Sequence, residues 1–205
     1  MFRTGLRALL EPNPTIEVIG EAANGRQAAE SADKLSPDVI VMDIAMPEMN
    51  GILATRRITA RNPCPKIIAL TMHSDGQYVS KMFAAGASAY LLKGCDVNEL
   101  IRAIELVHAG GKYLTPSITG EFIADYKRGV SKFPEDSETP LSRRQQEVLQ
   151  LLAEGLASKE IGARLHISVK TVTAHRQNIM NTLGIRSVAE LTKYAVRAGL
   201  TSLDA

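Results

Sequence analysis

The sequence has 205 residues, enough for one large domain or two small ones, and its 45% hydrophobic and 22% charged residues are typical of globular proteins. No apolar run approaches the roughly 18 residues of a membrane-spanning helix, and the first ten residues contain arginines and no cleavage site, which argues against a secretory signal. Two cysteines, Cys64 and Cys95, make neither a disulfide framework nor a CxxC site. A cytoplasmic protein without membrane contact is therefore expected. The 4% aromatic content argues against a stacking surface for single-stranded nucleic acid.

The charged residues are unevenly distributed along the chain. Residues 1–115 contain 12 basic and 12 acidic side chains, whereas residues 140–205 contain 9 basic and 5 acidic side chains, a net charge of +4. This asymmetry favours contact between the C-terminal part and a polyanion. Many solvated helical surfaces carry as much charge, so charge alone leaves both interpretations open.

Helices and strands alternate in the first half of the chain. Apolar residues spaced three and four apart predict a helix over residues 2–10, and further helices are predicted at 25–35, 51–61, 77–85 and 97–109. Short apolar runs predict strands at 16–22, 39–42, 67–70 and 89–92, and the run at 39–42 suits a strand buried on both faces. This alternation predicts a doubly wound α/β fold with a parallel sheet. The strand that should precede the first helix has no counterpart.

The second half of the chain has a different pattern. We place a first domain at 1–115, a linker at 116–139 and a second domain at 140–205. The linker contains a connecting helix at 118–128 and then the polar segment 129–139, which is rich in acidic residues, Gly and Pro. The second domain is predicted to be all-α. Its four helices, at 142–153, 158–165, 168–183 and 187–198, each begin at a serine, a favoured N-cap.

Three polar residues follow or end the buried strands of the first domain. Asp43 follows the strand 39–42, Thr71 ends the strand 67–70, and Lys93 ends the strand 89–92. Parallel strands present ligand sites at their carboxyl ends, so these residues should meet in one crevice. The set suits phosphoryl transfer to a carboxylate, with Asp43 as nucleophile and Thr71 and Lys93 binding the phosphoryl oxygens. Taken singly, each residue is more often a cap or a solvated strand end.

The motifs VMDIAMPEMNG around Asp43, LTMHSD around Thr71 and AYLLKG around Lys93 resemble the receiver domain of bacterial two-component response regulators. The resemblance implies that Asp43 is the phosphoacceptor, that Thr71 is a switch residue in contact with the phosphoryl group, and that Lys93 is the phosphate-binding cation. Tyr90 matches the rotating aromatic switch of the family. Its alternative interpretation is a half-buried tyrosine at the edge of the sheet.

The sequence departs from the receiver pattern at its start. Receiver domains begin with a strand that ends in an acidic pair, which holds Mg²⁺, and this strand would lie in the middle of the sheet. The resemblance leaves Asp43 and the Ala45 carbonyl as Mg²⁺ contacts, so we expect weakened metal binding. We interpret the receiver domain as N-terminally incomplete and expect two unpaired strand edges.

The segment from 156 to 185 has the pattern of two helices joined by a tight turn. Apolar residues line one side of the second helix, and its other side carries short and then long polar side chains, as suits a major groove. The alternative is an ordinary helical bundle with a basic face. LSRRQQEVLQLLAEGLASKEIGARLHISVKTVTAHRQNIMNTLGI is, however, similar to the LuxR-type or NarL-class DNA-binding domain over nearly its full length.

The LuxR-type resemblance makes 168–183 the recognition helix and implies a homodimer on double-stranded DNA. Thr173, Ala174 and Gln177 occupy its usual base-facing positions. The candidate DNA-contacting set is Lys159, Lys170, Thr171, Thr173, Ala174, His175, Arg176 and Gln177. Asn181 and Thr182 depart from the family, which often has a lysine there.

Three functions follow as hypotheses. The first is a transcription regulator, not an enzyme, that a histidine kinase controls by phosphorylating Asp43. The second is a DNA-binding regulator whose incomplete receiver domain acts as a protein-interaction module without phosphorylation. The third, a hydrolase that uses Asp43, is weak because no general acid or base lies near Asp43 in the motif.

Overall fold

A computed structural model describes residues 2–127 and 140–201. These residues separate into two compact units: residues 2–44 and 51–127 form the first, and residues 45–50 and 140–201 form the second. The predicted linker segment 129–139 lies outside the described residues. None of the described helices has the length and apolarity needed to cross a membrane.

The first unit is a four-stranded parallel sheet surrounded by helices, as the sequence predicts. Its elements are α1 (Phe2–Leu10), α2 (Gly25–Leu35), β1 (Val39–Met42), α3 (Gly51–Thr59), β2 (Lys66–Thr71), α4 (Gly76–Ala84), β3 (Ala89–Leu92), α5 (Val97–His108), β4 (Tyr113–Leu114) and α6 (Pro116–Lys127). The strands lie in the order β1-β2-β3-β4, and all three pairings are parallel. Leu10 of α1 and the buried side of α5 pack on the apolar side chains of β2 and β3.

The predicted strand at 16–22 is wrong, because these residues form no strand. Ile16 and Val18 still pack against the apolar core of the unit, so the alternating pattern reports burial correctly. A strand also needs a neighbour for its backbone N–H and C=O groups. Within the described residues, the sheet consists of β1 to β4 alone, and the segment 16–22 pairs with none of them.

The strand at 39–42 is confirmed, but its predicted burial on both faces is wrong. Val39, Ile40 and Val41 are only partly buried, because β1 is the edge strand of the four described ones. At the opposite edge, β4 was not predicted. It has two residues and extends the sheet because Tyr113 and Leu114 pair with Ala89 and Tyr90.

The second unit contains four helices: α7 (Arg143–Ala153), α8 (Ser158–Leu165), α9 (Val169–Leu183) and α10 (Val188–Arg197). Ser142, Ser168 and Ser187 cap α7, α9 and α10, as predicted. The predicted serine cap of α8 is wrong. Its N-cap is Ala157, whose backbone N–H donates to the Glu160 carboxylate. The core is formed by side chains of all four helices, among them Val148, Leu149, Ile161, Leu165, Val172, Ile179 and Leu191.

Candidate functional site

The carboxyl edge of the sheet brings together two of the residues that the strand-end argument selects. Asp43 directly follows β1, and Lys93 directly follows β3. Lys93 Nζ donates to Asp43 Oδ2 at 2.5 Å, and the two side chains are 18% and 25% exposed. The Lys93 backbone N–H also donates to the Thr71 carbonyl at 2.8 Å, which ties the end of β3 to the end of β2. A carboxylate and an ammonium are thus held in contact at a partly shielded edge.

Thr71 and Tyr90 are linked through the backbone of a residue that the sequence argument missed. The His73 N–H donates to Thr71 Oγ1 at 3.2 Å, and the Tyr90 hydroxyl donates to the His73 carbonyl at 2.7 Å. Thr71 and Tyr90 are both fully buried, so the alternative of a half-buried edge tyrosine is wrong. Burial raises the pKa of Tyr90 far above its ordinary value, which keeps the hydroxyl protonated as a donor.

The side chain of His73 stacks on Tyr78 of α4, with the ring centroids 4.4 Å apart and the planes 15° from parallel. This stack fixes the loop that follows β2. His73 could not be found from the sequence, because a single histidine within LTMHSD has no spacing pattern and its function here is performed by backbone atoms.

Two further contacts shape the surroundings of Asp43. A Cβ on Gly51 would lie 2.0 Å from the Asp43 carbonyl oxygen, so only glycine fits at the start of α3. On the other side, Lys93 Nζ lies 4.7 Å from the centroid of the Phe2 ring, within the range of a cation–π contact. These neighbours restrict the positions of both members of the ion pair.

The resemblance to receiver domains implies that Mg²⁺ takes part in phosphorylation, so the oxygen donors near Asp43 determine whether this chain could bind the ion. Mg²⁺ takes oxygen ligands, usually one or two carboxylates with waters and phosphate oxygens. Within residues 2–127 and 140–201, no group of three or more Asp, Glu, His or Cys side chains could hold a metal. Asp43 is one carboxylate, and one of its oxygens is bound to Lys93. Asp43 therefore belongs to no cluster of three or more such side chains within the described ranges.

The second unit contains a helix-turn-helix. His166 adopts a left-handed conformation with φ 53° at the end of α8, and Ser168 caps α9 by accepting from the Thr171 N–H. A Cβ on Gly162 would lie 2.8 Å from the Ile167 carbonyl oxygen, so glycine allows the turn to pass close to α8. Arg144, which sequence reasoning missed, donates to the Leu165 carbonyl and to Glu147, both at 2.6 Å. It thereby ties α7 to the end of α8.

One side of α9 is buried and the other is polar and exposed. Val172 and Ile179 are fully buried, whereas Lys170, Thr171, Thr173, Ala174 and Gln177 are exposed. Lys159 on α8 is also exposed, and His175 and Arg176 are partly buried. No acidic residue lies within α9. A helix of this kind can present its short and amide side chains to base edges while lysines approach phosphates.

Both units match known protein families. Residues 1–105 match the response regulator receiver domain, and residues 139–195 match the luxR family of bacterial regulatory proteins. The chain is 36% identical to the transcriptional regulatory protein DegU of Brevibacillus brevis over 97% of this chain and 90% of that protein. It is 40% identical to the transcriptional regulatory protein LiaR of Bacillus subtilis over 98% of this chain and 95% of that protein.

A solved structure is also similar. RcsB from Salmonella enterica serovar Typhimurium, bound to promoter P1flhDC in the presence of phosphomimetic BeF3−, has a TM-score of 0.58 and 26% sequence identity. The match covers 97% of this chain and 93% of that one. The receiver match covers more than half of the chain, and both relatives match over nearly their full lengths. The chain therefore belongs to the two-component response regulators that join a receiver domain to a LuxR-family DNA-binding domain.

Proposed function

We propose that a histidine kinase phosphorylates this chain on Asp43 and that phosphorylation controls its binding to DNA as a homodimer. The single observation that carries the proposal is the 2.5 Å contact between Lys93 Nζ and Asp43 Oδ2 at the carboxyl edge of the sheet. A phosphoryl group on Asp43 brings additional negative charge to this position. The ammonium of Lys93 lies beside it and would stabilise that charge.

In this proposal, the phosphoryl group passes from a phosphohistidine of the kinase to a carboxylate oxygen of Asp43. The new P–O bond forms an acyl phosphate as the P–N bond to histidine breaks. The chain is the acceptor in this reaction, and we do not assign it an enzymatic activity of its own. No step is assigned to Mg²⁺. Asp43 and the Ala45 carbonyl stay the proposed contacts for the ion.

The switch would act through His73. If the Thr71 hydroxyl turns toward a phosphoryl oxygen, its geometry with the His73 N–H changes. The Tyr90 hydroxyl is bound to the carbonyl of the same residue, so a shift of the loop also changes the position of Tyr90. Thr71 and Tyr90 would therefore respond together, and the surface around α4 would report the state of Asp43.

The DNA-contacting part of the proposal has α9 in the major groove. Thr173, Ala174 and Gln177 would face bases. Lys159, Lys170, Thr171, His175 and Arg176 would lie near the backbone of the DNA. In this proposal, the receiver domain comprises residues 1–115, the linker residues 116–139 and the DNA-binding domain residues 140–205. The protein acts in the cytoplasm.

A second candidate function is DNA binding without phosphorylation, with the first unit as a protein-interaction module. The observation that favours it is the ion pair itself, because one oxygen of the Asp43 carboxylate is already bound to Lys93. Labelling with a phosphoryl donor separates the two functions. A phosphoryl group on Asp43 supports the first, and a folded chain that no donor labels supports the second.

The DNA-binding part can be tested with the isolated segment 140–205. It should fold cooperatively, because its four helices share one core and three of them have serine caps. It should bind duplex DNA with an affinity that falls steeply as salt rises, since lysine and arginine contacts release counterions. The measurement is fluorescence anisotropy over a range of salt concentrations. An affinity that does not change with salt concentration, or the absence of binding to any duplex at low salt, would contradict the proposal.

A further inference from the structure

The ammonium of Lys93 has an aromatic neighbour in addition to Asp43. Lys93 Nζ lies 4.7 Å from the centroid of the Phe2 ring, which belongs to the first turn of α1. Cation–π contacts form within about 6 Å of a ring centroid, because the face of an aromatic ring carries partial negative charge. The Lys93 side chain is only 18% exposed, and an ammonium shielded from water gains more from such a contact than an exposed one.

Both partners of this contact are held by the fold. Lys93 directly follows β3, an inner strand of the four described ones. Arg3, the neighbour of Phe2, donates through Nη1 to the Ala22 carbonyl at 2.8 Å. At the other end of α1, Leu10 is buried in the core of the unit. The Phe2 ring therefore approaches Lys93 from a helix that is anchored at both ends.

An aromatic ring and a carboxylate act differently on an ammonium. Lys93 has three N–H donors, and one of them binds Asp43 Oδ2 at 2.5 Å. The Phe2 ring attracts the cation through its face but carries no net charge. It therefore restricts the position of the ammonium without neutralising it. A second carboxylate in the same place would instead reduce the attraction of Lys93 for an incoming phosphoryl group, which is an anion.

We propose that Phe2 is a positioning residue that holds the Lys93 ammonium beside Asp43 during phosphoryl transfer. The proposal rests on the proposed function, in which a P–O bond forms at a carboxylate oxygen of Asp43 as the bond between phosphorus and the donor breaks. It adds that the ring raises the rate of transfer through Lys93, without touching the phosphoryl group. A cation fixed in advance stabilises the arriving charge without having to reorganise.

The experiment measures the rate at which acetyl phosphate labels Asp43 in the full chain, by intact mass over time. Phe2→Leu keeps an apolar side chain but removes the aromatic face, and it should slow labelling by about fivefold. Phe2→Tyr keeps the face and should label within about twofold of the unchanged protein. Leu9→Ala is the matched control, because Leu9 is a second exposed apolar residue of α1, and it should leave the rate unchanged.

Fluorinated rings separate the electrostatic contact from packing. Phenylalanine analogues with one, two or three ring fluorines replace Phe2. Each fluorine withdraws electron density from the face of the ring and changes its size little. The labelling rate should therefore fall stepwise with the number of fluorines, toward the rate of Phe2→Leu. A ring that touched the phosphoryl group itself would give the opposite trend, because an electron-poor face repels an anion less.

Proton NMR measures the contact without phosphorylation. The methylene protons beside the Lys93 ammonium lie near the face of the Phe2 ring, so their signal should be shifted upfield by the ring current. Phe2→Leu should remove this shift, and Lys93→Arg assigns the signal. Thermal melting checks each variant. Because the fluorinated rings have nearly the natural size, their melting temperatures should agree with that of the unchanged protein.

Equal labelling rates in Phe2→Leu and the unchanged protein would overturn the proposal. Equal rates for all the fluorinated rings would show that Phe2 only packs, and a rate that rises with fluorination would show a direct contact with the phosphoryl group; either result would overturn it as well. The lack of an upfield shift would show that the contact is not formed in solution. Failure of the proposed function looks different, because the unchanged protein would then show the upfield shift but no labelling of Asp43, and the positioning function would fail with it.

Discussion

The two candidate sites of this chain are built in opposite ways. The site around Asp43 is assembled from the ends of three strands, and Asp43 and Lys93 are 50 residues apart in the sequence. The candidate DNA-contacting face lies mostly on one helix and is exposed to solvent. The first site depends on the whole sheet, so a change in the strands of the sheet should affect it strongly. The second depends on local side chains, so single substitutions there should have graded effects.

The largest expected effect concerns the sheet. In the 205-residue chain, we expect slow transfer of phosphate from acetyl phosphate to Asp43, because a single carboxylate holds Mg²⁺ weakly. A variant extended before residue 1 by an apolar strand that ends in two acidic residues should label at least about tenfold faster. Asp43→Asn in the extended variant should abolish labelling. Intact-mass measurements over time give both rates.

Thermal melting separates two causes of slow labelling. If the 205-residue chain melts cooperatively yet stays unlabelled, the cause is metal binding. A poorly folded chain indicates instead that unpaired strand edges, such as that of β1, destabilise the sheet. Equal labelling rates with and without the added strand would show that the acidic pair is not needed here.

The next effect tests whether the α9 face responds residue by residue. Gln177→Ala should remove about 1–3 kcal/mol of discrimination at one base pair. Arg176→Ala should weaken binding to all sequences by similar factors, because a phosphate contact carries no base information. Anisotropy titrations on a selected site and on random DNA measure both. Equal losses on the two DNAs for Gln177→Ala would remove Gln177 from the base-contacting set.

The smallest effect concerns the buried tyrosine of the first unit. Tyr90→Phe removes the bond to the His73 carbonyl and should lower the free energy of unfolding by about 1 kcal/mol. The pKa of Tyr90 is raised in the folded state. Its contribution to the free energy of unfolding is therefore fully present below the ordinary pKa of 10.0 and is lost as pH rises above that value. Urea unfolding at pH 7 and at pH 11 measures the difference between the two proteins.

The same pH comparison has an internal control. Tyr78, Tyr113 and Tyr194 also have raised pKa values because of burial, so Tyr90→Phe should reduce the loss of stability at high pH without removing it. If the free energy of unfolding falls by the same amount between pH 7 and pH 11 in the unchanged protein and in Tyr90→Phe, Tyr90 makes no such contribution.

The helices and the three longer strands were predictable because their apolar periodicity is local. The caps at Ser142, Ser168 and Ser187 follow from single residues with known backbone preferences. The apolar alternation of the segment 16–22 predicts its burial correctly. The pattern does not show whether a neighbouring strand is there to pair with it, so the lack of a strand at 16–22 was not predictable. The two-residue strand β4 gives too short a pattern to detect.

The candidate sites were also predictable only in part. Placing Asp43, Thr71 and Lys93 at strand ends predicted one edge, and the contact between Lys93 and Asp43 agrees with it. The contributions of His73 and Arg144 could not be predicted, because they depend on which backbone groups the fold brings near them.

The central claim is that phosphorylation of Asp43 controls DNA binding, and one comparison tests it most directly. Phosphorylated and unphosphorylated fractions of the chain are separated, and their affinities for the same selected duplex are measured beside Asp43→Asn treated with the same phosphoryl donor. We predict that the phosphorylated fraction binds more tightly, whereas the treated Asp43→Asn variant binds as the unphosphorylated protein does. Equal affinities of the two fractions, or an equal gain in Asp43→Asn, would contradict the account.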